Sequence, residues 1–82
     1  GPEISEEDRV YFALAAYNAG PSKVRKIRAK AKRMGLNPNR WFGQVELAAM
    51  RMVGRETVTY VRNILKYSIA YKLSYATEQQ RD

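Results

Sequence analysis

The 82-residue chain contains no cysteine and no histidine. Without cysteine there can be no disulfide and no thiolate metal site, and without histidine the usual zinc motifs are excluded as well. The cellular compartment stays open, because many exported proteins also lack cysteine. No apolar run reaches the roughly 18–20 residues that a helix needs to span a bilayer, and no secretory signal pattern is present. Acidic residues are few: 8 Asp and Glu stand against 15 Lys and Arg, a net charge of +7. That imbalance points to an anionic partner or surface, with nucleic acid, anionic lipid and cell-wall polymer all admissible. Alternating strand patterns, repeats and low-complexity segments are also missing.

What remains is helical periodicity throughout. At 45% hydrophobic residues the chain can form a core, but at this length it is one small domain, or part of one, with little stability to spare. Gly1-Pro2 reads as a cloning scar, residues 3–76 as the helical part and residues 77–82 as a polar tail that frays. Ser5 reads as an N-cap, with Glu6, Glu7 and Asp8 favourably placed in the first turn of a helix from Glu6 to Ala19. The capping-box spacing from Ser5 to Asp8 is an imperfect match, since Glu or Gln is preferred there. Val10, Leu14 and Tyr17 share one face at the helix period. Gly20 can cap that helix, and Pro21 suits the first turn of the next.

The second helix, Pro21 to Arg33, carries a narrow apolar stripe of Val24, Ile27, Ala31 and Met34. Around it lie Lys23, Arg25, Lys26, Arg28, Lys30, Lys32 and Arg33, with no acid among them. The plainest reading is a solvated face, ahead of contact with wall polymer or phospholipid, and then of a nucleic-acid groove. The run lacks aromatic side chains for base stacking, which weakens the last. Gly35 is placed as a C-cap. Asn37-Pro38-Asn39 is a turn, either Asn being able to cap the next helix. Trp41, Val45, Ala48 and Met52 predict a third helix from Arg40 to Met52, with Trp41 in a core or lid-packing role ahead of stacking on a sugar. After Gly54, Glu56 and Thr57 open a long fourth helix to Ala76. One of its faces is Val58, Val61 and Leu65; another is Tyr60, Ile64, Tyr67 and Tyr71, read as core ahead of binding surface. The fold class is therefore all-α, with about four helices.

Two stretches carry a resemblance. Ala15-Ala16-Tyr17-Asn18-Ala19-Gly20-Pro21 resembles the Ala-Tyr-Asn-Ala-Gly signature of lytic transglycosylases with the goose-lysozyme-like fold. Glu56-Thr57-Val58-Thr59-Tyr60-Val61 resembles the same family's Glu-Thr-x-x-Tyr-Val motif. They occur in the family's order, with the similar-looking Asn37 to Phe42 between them. The resemblance covers nearly the whole chain but only the later half of the family's catalytic domain. It implies the C-terminal helical portion of a lysozyme-like domain, acting on peptidoglycan glycan strands in the bacterial envelope, periplasmic or outer-membrane-associated, without metal or cofactor. The family's reaction uses one Glu as acid and then base. It breaks the bond between N-acetylmuramic acid and N-acetylglucosamine and leaves a 1,6-anhydro sugar.

In the family that Glu lies in a Glu-Ser motif, followed by Gly-Leu-Met-Gln, both ahead of Ala-Tyr-Asn-Ala-Gly. Neither motif occurs in these 82 residues. Glu3, Glu6 and Glu7 fall in the lead-in, and Glu46 sits on a mostly apolar helix without a matching motif. Glu56 matches the Glu-Thr pair, but a helix start favours a capping or ion-pair role over acid catalysis. No catalytic acid is expected within the chain. The resemblance gives Tyr17, Asn18 and Tyr60 as substrate-binding residues, with Asn18 facing an acetamido group and Tyr60 also supporting the acid. Packing for Tyr17, a helix C-cap for Asn18 and core for Tyr60 stay open beside these roles. Ala16, Gly20, Pro21, Glu56 and Thr57 complete the motifs; Ser22 departs mildly, since a second Gly is usual there. The expected partners are glycan strands, the missing N-terminal half of the domain, and a second copy through an exposed apolar face; nucleic acid is not expected. A non-catalytic wall-binding or assembly module is the alternative, and a basic helical nucleic-acid binder the third.

Overall fold

Residues 4–79 are described in a computed structural model. They form four helices: α1 (Glu6–Ala19), α2 (Pro21–Arg33), α3 (Glu46–Val53) and α4 (Arg55–Gln79). The all-α expectation holds. Among the described residues no helix is long and apolar enough to cross a membrane.

Ser5 caps α1 as its sequence suggests. The Asp8 N–H donates to Ser5 Oγ at 3.0 Å, and the Ser5 hydroxyl donates to Asp8 Oδ2 at 2.8 Å. The other carboxylate oxygen, Oδ1, accepts the backbone N–H of Trp41 at 2.9 Å. Asp8 thus fastens the start of α1 to a residue 33 positions away. No local pattern announces this role.

A single residue joins α1 to α2. Gly20 has φ 97° and ψ 144°, a region closed to side chains with a Cβ. Its N–H donates to Ala16 O at 2.8 Å, and its own carbonyl accepts from Val24 N–H at 3.1 Å. It therefore ends one helix and begins the next, with Pro21 as the first residue of α2. The end of α2 is closed by a Schellman pair, Leu36 N–H to Ala31 O at 2.9 Å and Gly35 N–H to Lys32 O at 3.0 Å.

The core is small-residue packing around one large ring. Phe12 and Ala15 come from α1; Val24, Ile27 and Ala31 from α2; Ala48 and Ala49 from α3; Val58 and Val61 from α4. Trp41 and Val45, in the turn before α3, are fully buried among them. On α1 the inward face is not the Val10–Leu14–Tyr17 line. Val10 is half exposed and Tyr17 is 84% exposed, while Phe12 and Ala15 face the core and Leu14 only flanks it. The i, i+4, i+7 spacing is a true helix period, but it runs along the outward side.

The third helix is shorter than its apolar spacing predicts. Trp41–Val45 is an irregular turn, with Phe42 extended (ψ 124°) and Gly43 at φ 71°, so regular helix begins only at Glu46. Neither Asn caps α3: Asn37 Oδ1 accepts from Asn39 N–H at 2.9 Å, which closes the turn upon itself. In α4, Val58, Val61 and Leu65 meet the core as expected. The tyrosine line does not. Tyr60 is half-buried, but Ile64, Tyr67 and Tyr71 are exposed. Every residue from Lys66 to Thr77 is exposed, including Ile69, Leu73 and Tyr75. The last half of this 25-residue helix projects beyond the body. Helix continues through Gln79 rather than ending at Ala76; Gly1, Pro2, Glu3 and residues 80–82 lie outside the described residues.

A Cβ at Gly20 would meet no atom within 4 Å, so replacing it costs only backbone strain. Gly20→Ala is expected to lower stability by about 1–3 kcal/mol, read as a fall in the urea midpoint with the slope unchanged.

Candidate functional site

The two motif-bearing stretches meet where the end of α1 faces the start of α4. The Thr57 hydroxyl donates to Asn18 Oδ1 at 2.7 Å, across 39 residues of sequence. One residue earlier on α1, the Tyr17 ring stacks on Tyr60, centroids 6.3 Å apart and planes 17° apart. Thr57 is buried, Asn18 and Tyr60 are half-buried, and Tyr17 stands in solvent. A two-ring aromatic shelf and an amide therefore share one open edge. Such a surface suits a ligand with apolar faces and polar rims, which is the character of a sugar ring.

Each residue singled out from the sequence has a definite place. Tyr17 is not packing, and Asn18 is not the α1 C-cap, a place taken by Gly20. Gly20 and Pro21 turn the chain immediately after Asn18, and Ala16 accepts the Gly20 N–H. Thr57, in the sequence only part of a motif, is the residue that holds Asn18. A buried hydroxyl needs a partner, but nothing local identifies a side chain 39 positions away as that partner.

The carboxylates are disposed otherwise. Glu46 is buried and both its oxygens are engaged, Oε1 accepting from Gly43 N–H at 3.2 Å and Oε2 from Arg62 Nε at 3.1 Å. It locks the irregular turn onto α3 and ties α3 to α4. Glu56 is exposed in the first turn of α4. It keeps the favourable position at the helix start but makes no ion pair, the Glu46–Arg62 pair being the one formed among the described residues. Glu6 and Glu7 are exposed in the first turn of α1. None of these carboxylates is directed at the Tyr17–Asn18–Tyr60 edge by any hydrogen bond. Among the described residues no group of three or more acidic side chains could hold a metal ion.

A concavity of about 330 Å³ lies at the other end of α1, between Ser5, Glu7, Asp8, Tyr11, Arg40 and Phe42. Tyr11 and Phe42 meet edge to face there, at 4.8 Å. Asp8 is fully engaged in holding Ser5 and Trp41. On α2, Arg28 is the basic residue with a structural task. It donates to Pro38 O and Asn39 Oδ1, both at 2.8 Å, and lies 5.0 Å from the centre of the Phe12 ring.

Loss of the engaged carboxylate should be felt far more than loss of the exposed ring. Glu46→Ala is expected to cost roughly 1–3 kcal/mol, because it removes a buried side chain together with the acceptor of both the Gly43 N–H and Arg62. Tyr17→Ala should cost less than about 1 kcal/mol. Chemical denaturation of the two variants side by side checks the contrast, and equal losses would contradict it.

Comparison with known proteins places this geometry in context. No protein-family profile and no solved structure matches the chain. Over 79 residues it is 38% identical to the membrane-bound lytic murein transglycosylase F of Pseudomonas putida, a match covering 78% of this chain and 16% of that protein. Over 91 aligned positions it is 32% identical to the protein of the same name from Histophilus somni, covering 95% of this chain and 19% of the relative. A shorter match, 53% over 38 residues, is to the one from Nitrosospira multiformis. The chain thus spans less than a fifth of the length of these curated relatives. By sequence it is related to the lytic murein transglycosylases, corresponding to a segment of such proteins.

Proposed function

We propose that this chain supplies one wall of the glycan groove of a peptidoglycan lytic transglycosylase, and that the catalytic acid comes from polypeptide outside it. The observation that carries the reading is the union of the two motif stretches at a single edge, through Thr57–Asn18 and Tyr17–Tyr60. The reaction is cleavage of the bond between N-acetylmuramic acid and N-acetylglucosamine without water, in which the muramyl C6 hydroxyl closes onto C1 to give a 1,6-anhydro end. An acid must protonate the leaving oxygen, and a base must then take the C6 proton. Tyr17 and Asn18 bind the sugar, and Tyr60, behind Tyr17, supports the acid. Glu46 is already held by two donors and Glu56 is solvated at a helix start, so neither is placed to protonate a leaving group at this edge. The setting is the bacterial envelope, in keeping with the membrane-bound relatives.

The remaining half of the domain would cover the outward side of α1 at Val10 and the projecting end of α4. In the isolated chain, that apolar surface favours association with a second copy.

Purified peptidoglycan incubated with the 82-residue chain is expected to yield no 1,6-anhydromuropeptides by mass spectrometry. Anhydro products would place an acid within these residues, and hydrolysed ends would make the chain a lysozyme-like hydrolase. In sedimentation equilibrium the chain should self-associate at tens of micromolar. A compact monomer at every concentration would remove the proposed role of the exposed α4 face.

A further inference from the structure

We infer that Thr57 is a positioning residue that fixes the polarity of the groove: by engaging the Asn18 oxygen, it leaves the Asn18 amide nitrogen as an outward donor that selects a carbonyl acceptor. The inference rests on the groove reading above and adds a residue and a direction to it.

Thr57 is 2% exposed, so its hydroxyl proton has no access to bulk water and must find an acceptor inside the protein. That acceptor is Asn18 Oδ1, at 2.7 Å. Turning the amide over would bring its NH2 to Thr57 Oγ1 and leave the buried hydroxyl proton without an acceptor, a costly arrangement. The short bond therefore sets the amide one way round. Trp41 Nε1 is the buried side-chain polar atom left without a partner among the described residues. The Asn18 nitrogen, which makes no hydrogen bond to a described residue, is thus open to solvent at the groove edge. Beside it stands the Tyr17 ring, backed by Tyr60.

With its oxygen engaged inward and its N–H presented outward, the Asn18 side chain discriminates by chemistry. The acetamido oxygen of an N-acetylated hexosamine accepts from it, with the sugar face resting on Tyr17. A deacetylated hexosamine brings an ammonium, which has only donors to offer and finds no acceptor on Asn18.

The test is NMR titration of the ¹⁵N-labelled chain with chitotetraose, and with its deacetylated counterpart, following the Asn18 side-chain amide. Wild type should respond to chitotetraose more strongly than to the deacetylated sugar. Thr57→Ser, which keeps the hydroxyl, should bind within about twofold of wild type, and Thr57→Val about tenfold more weakly. Asn18→Asp provides a second arm that does not disturb the buried hydroxyl. It keeps an oxygen for Thr57 but presents an acceptor outward, so chitotetraose affinity should fall at least tenfold with the backbone spectrum unchanged. Full affinity in Asn18→Asp, or in folded Thr57→Val, overturns the positioning role and leaves the groove reading standing. Absence of any wild-type response to chitotetraose overturns the groove reading, and this inference with it.

Discussion

The fold depends on the burial of one side chain, Trp41. It is the largest fully buried residue, set among alanines and valines too small to fill the space between four helices. Its ring stands edge-on to Phe12 at 6.1 Å, and Arg28 covers the Phe12 ring while holding the Pro38 carbonyl and the Asn39 side chain. Its backbone N–H is held by Asp8 at the start of α1. Trp41 therefore binds the turn before α3 to α1, and Arg28 adds the middle of α2 to the same cluster. The arrangement leaves Trp41 Nε1 without a partner among the described residues, at a cost of about 1–3 kcal/mol. Burial of an indole contributes roughly 4–6 kcal/mol at the usual value per unit apolar area. Burial wins, and the orphaned N–H is tolerated.

This balance explains why the helices lie so close. Ala15, Ala31, Ala48 and Ala49 are all fully buried and let backbones approach around the ring. The same closeness brings the end of α1 against the start of α4, near enough for a hydroxyl and an amide to meet at 2.7 Å. That meeting edge is thus a product of core packing rather than of a flexible loop. Its two motif stretches sit at helix ends, where Gly20 and Gly54 turn the chain.

Much of this is legible in the sequence, and the failures have physical causes. The limits of α1 and α2 follow from Ser5, Gly20, Pro21 and Gly35, because capping is local chemistry. Periodicity finds the helices but not always their inward side: on α4 it offers Ile64, Tyr67 and Tyr71 as core, and all three are exposed. The apolar spacing from Trp41 to Met52 conceals a turn, since Gly43 breaks the backbone without disturbing the pattern. Tyr17, Asn18 and Tyr60 are visible through motif resemblance, and the structure brings them together. The partners of Asp8, Thr57 and Glu46 are not, because each bond depends on a proximity that exists only after folding.

The projecting half of α4 carries a thermodynamic consequence. A helical segment of that length without tertiary support is marginal in water, and its residues gain little from propensity alone. Each residue held in helix gives up about 1–2 kcal/mol of backbone entropy. Whatever comes to lie along Ile69 and Leu73 therefore does more than cover apolar area: it meets, through its own contact energy, the cost of ordering the segment it touches. Any docking there would be coupled to helix formation, so its apparent affinity would be weaker than the area suggests and steeper in its dependence on temperature.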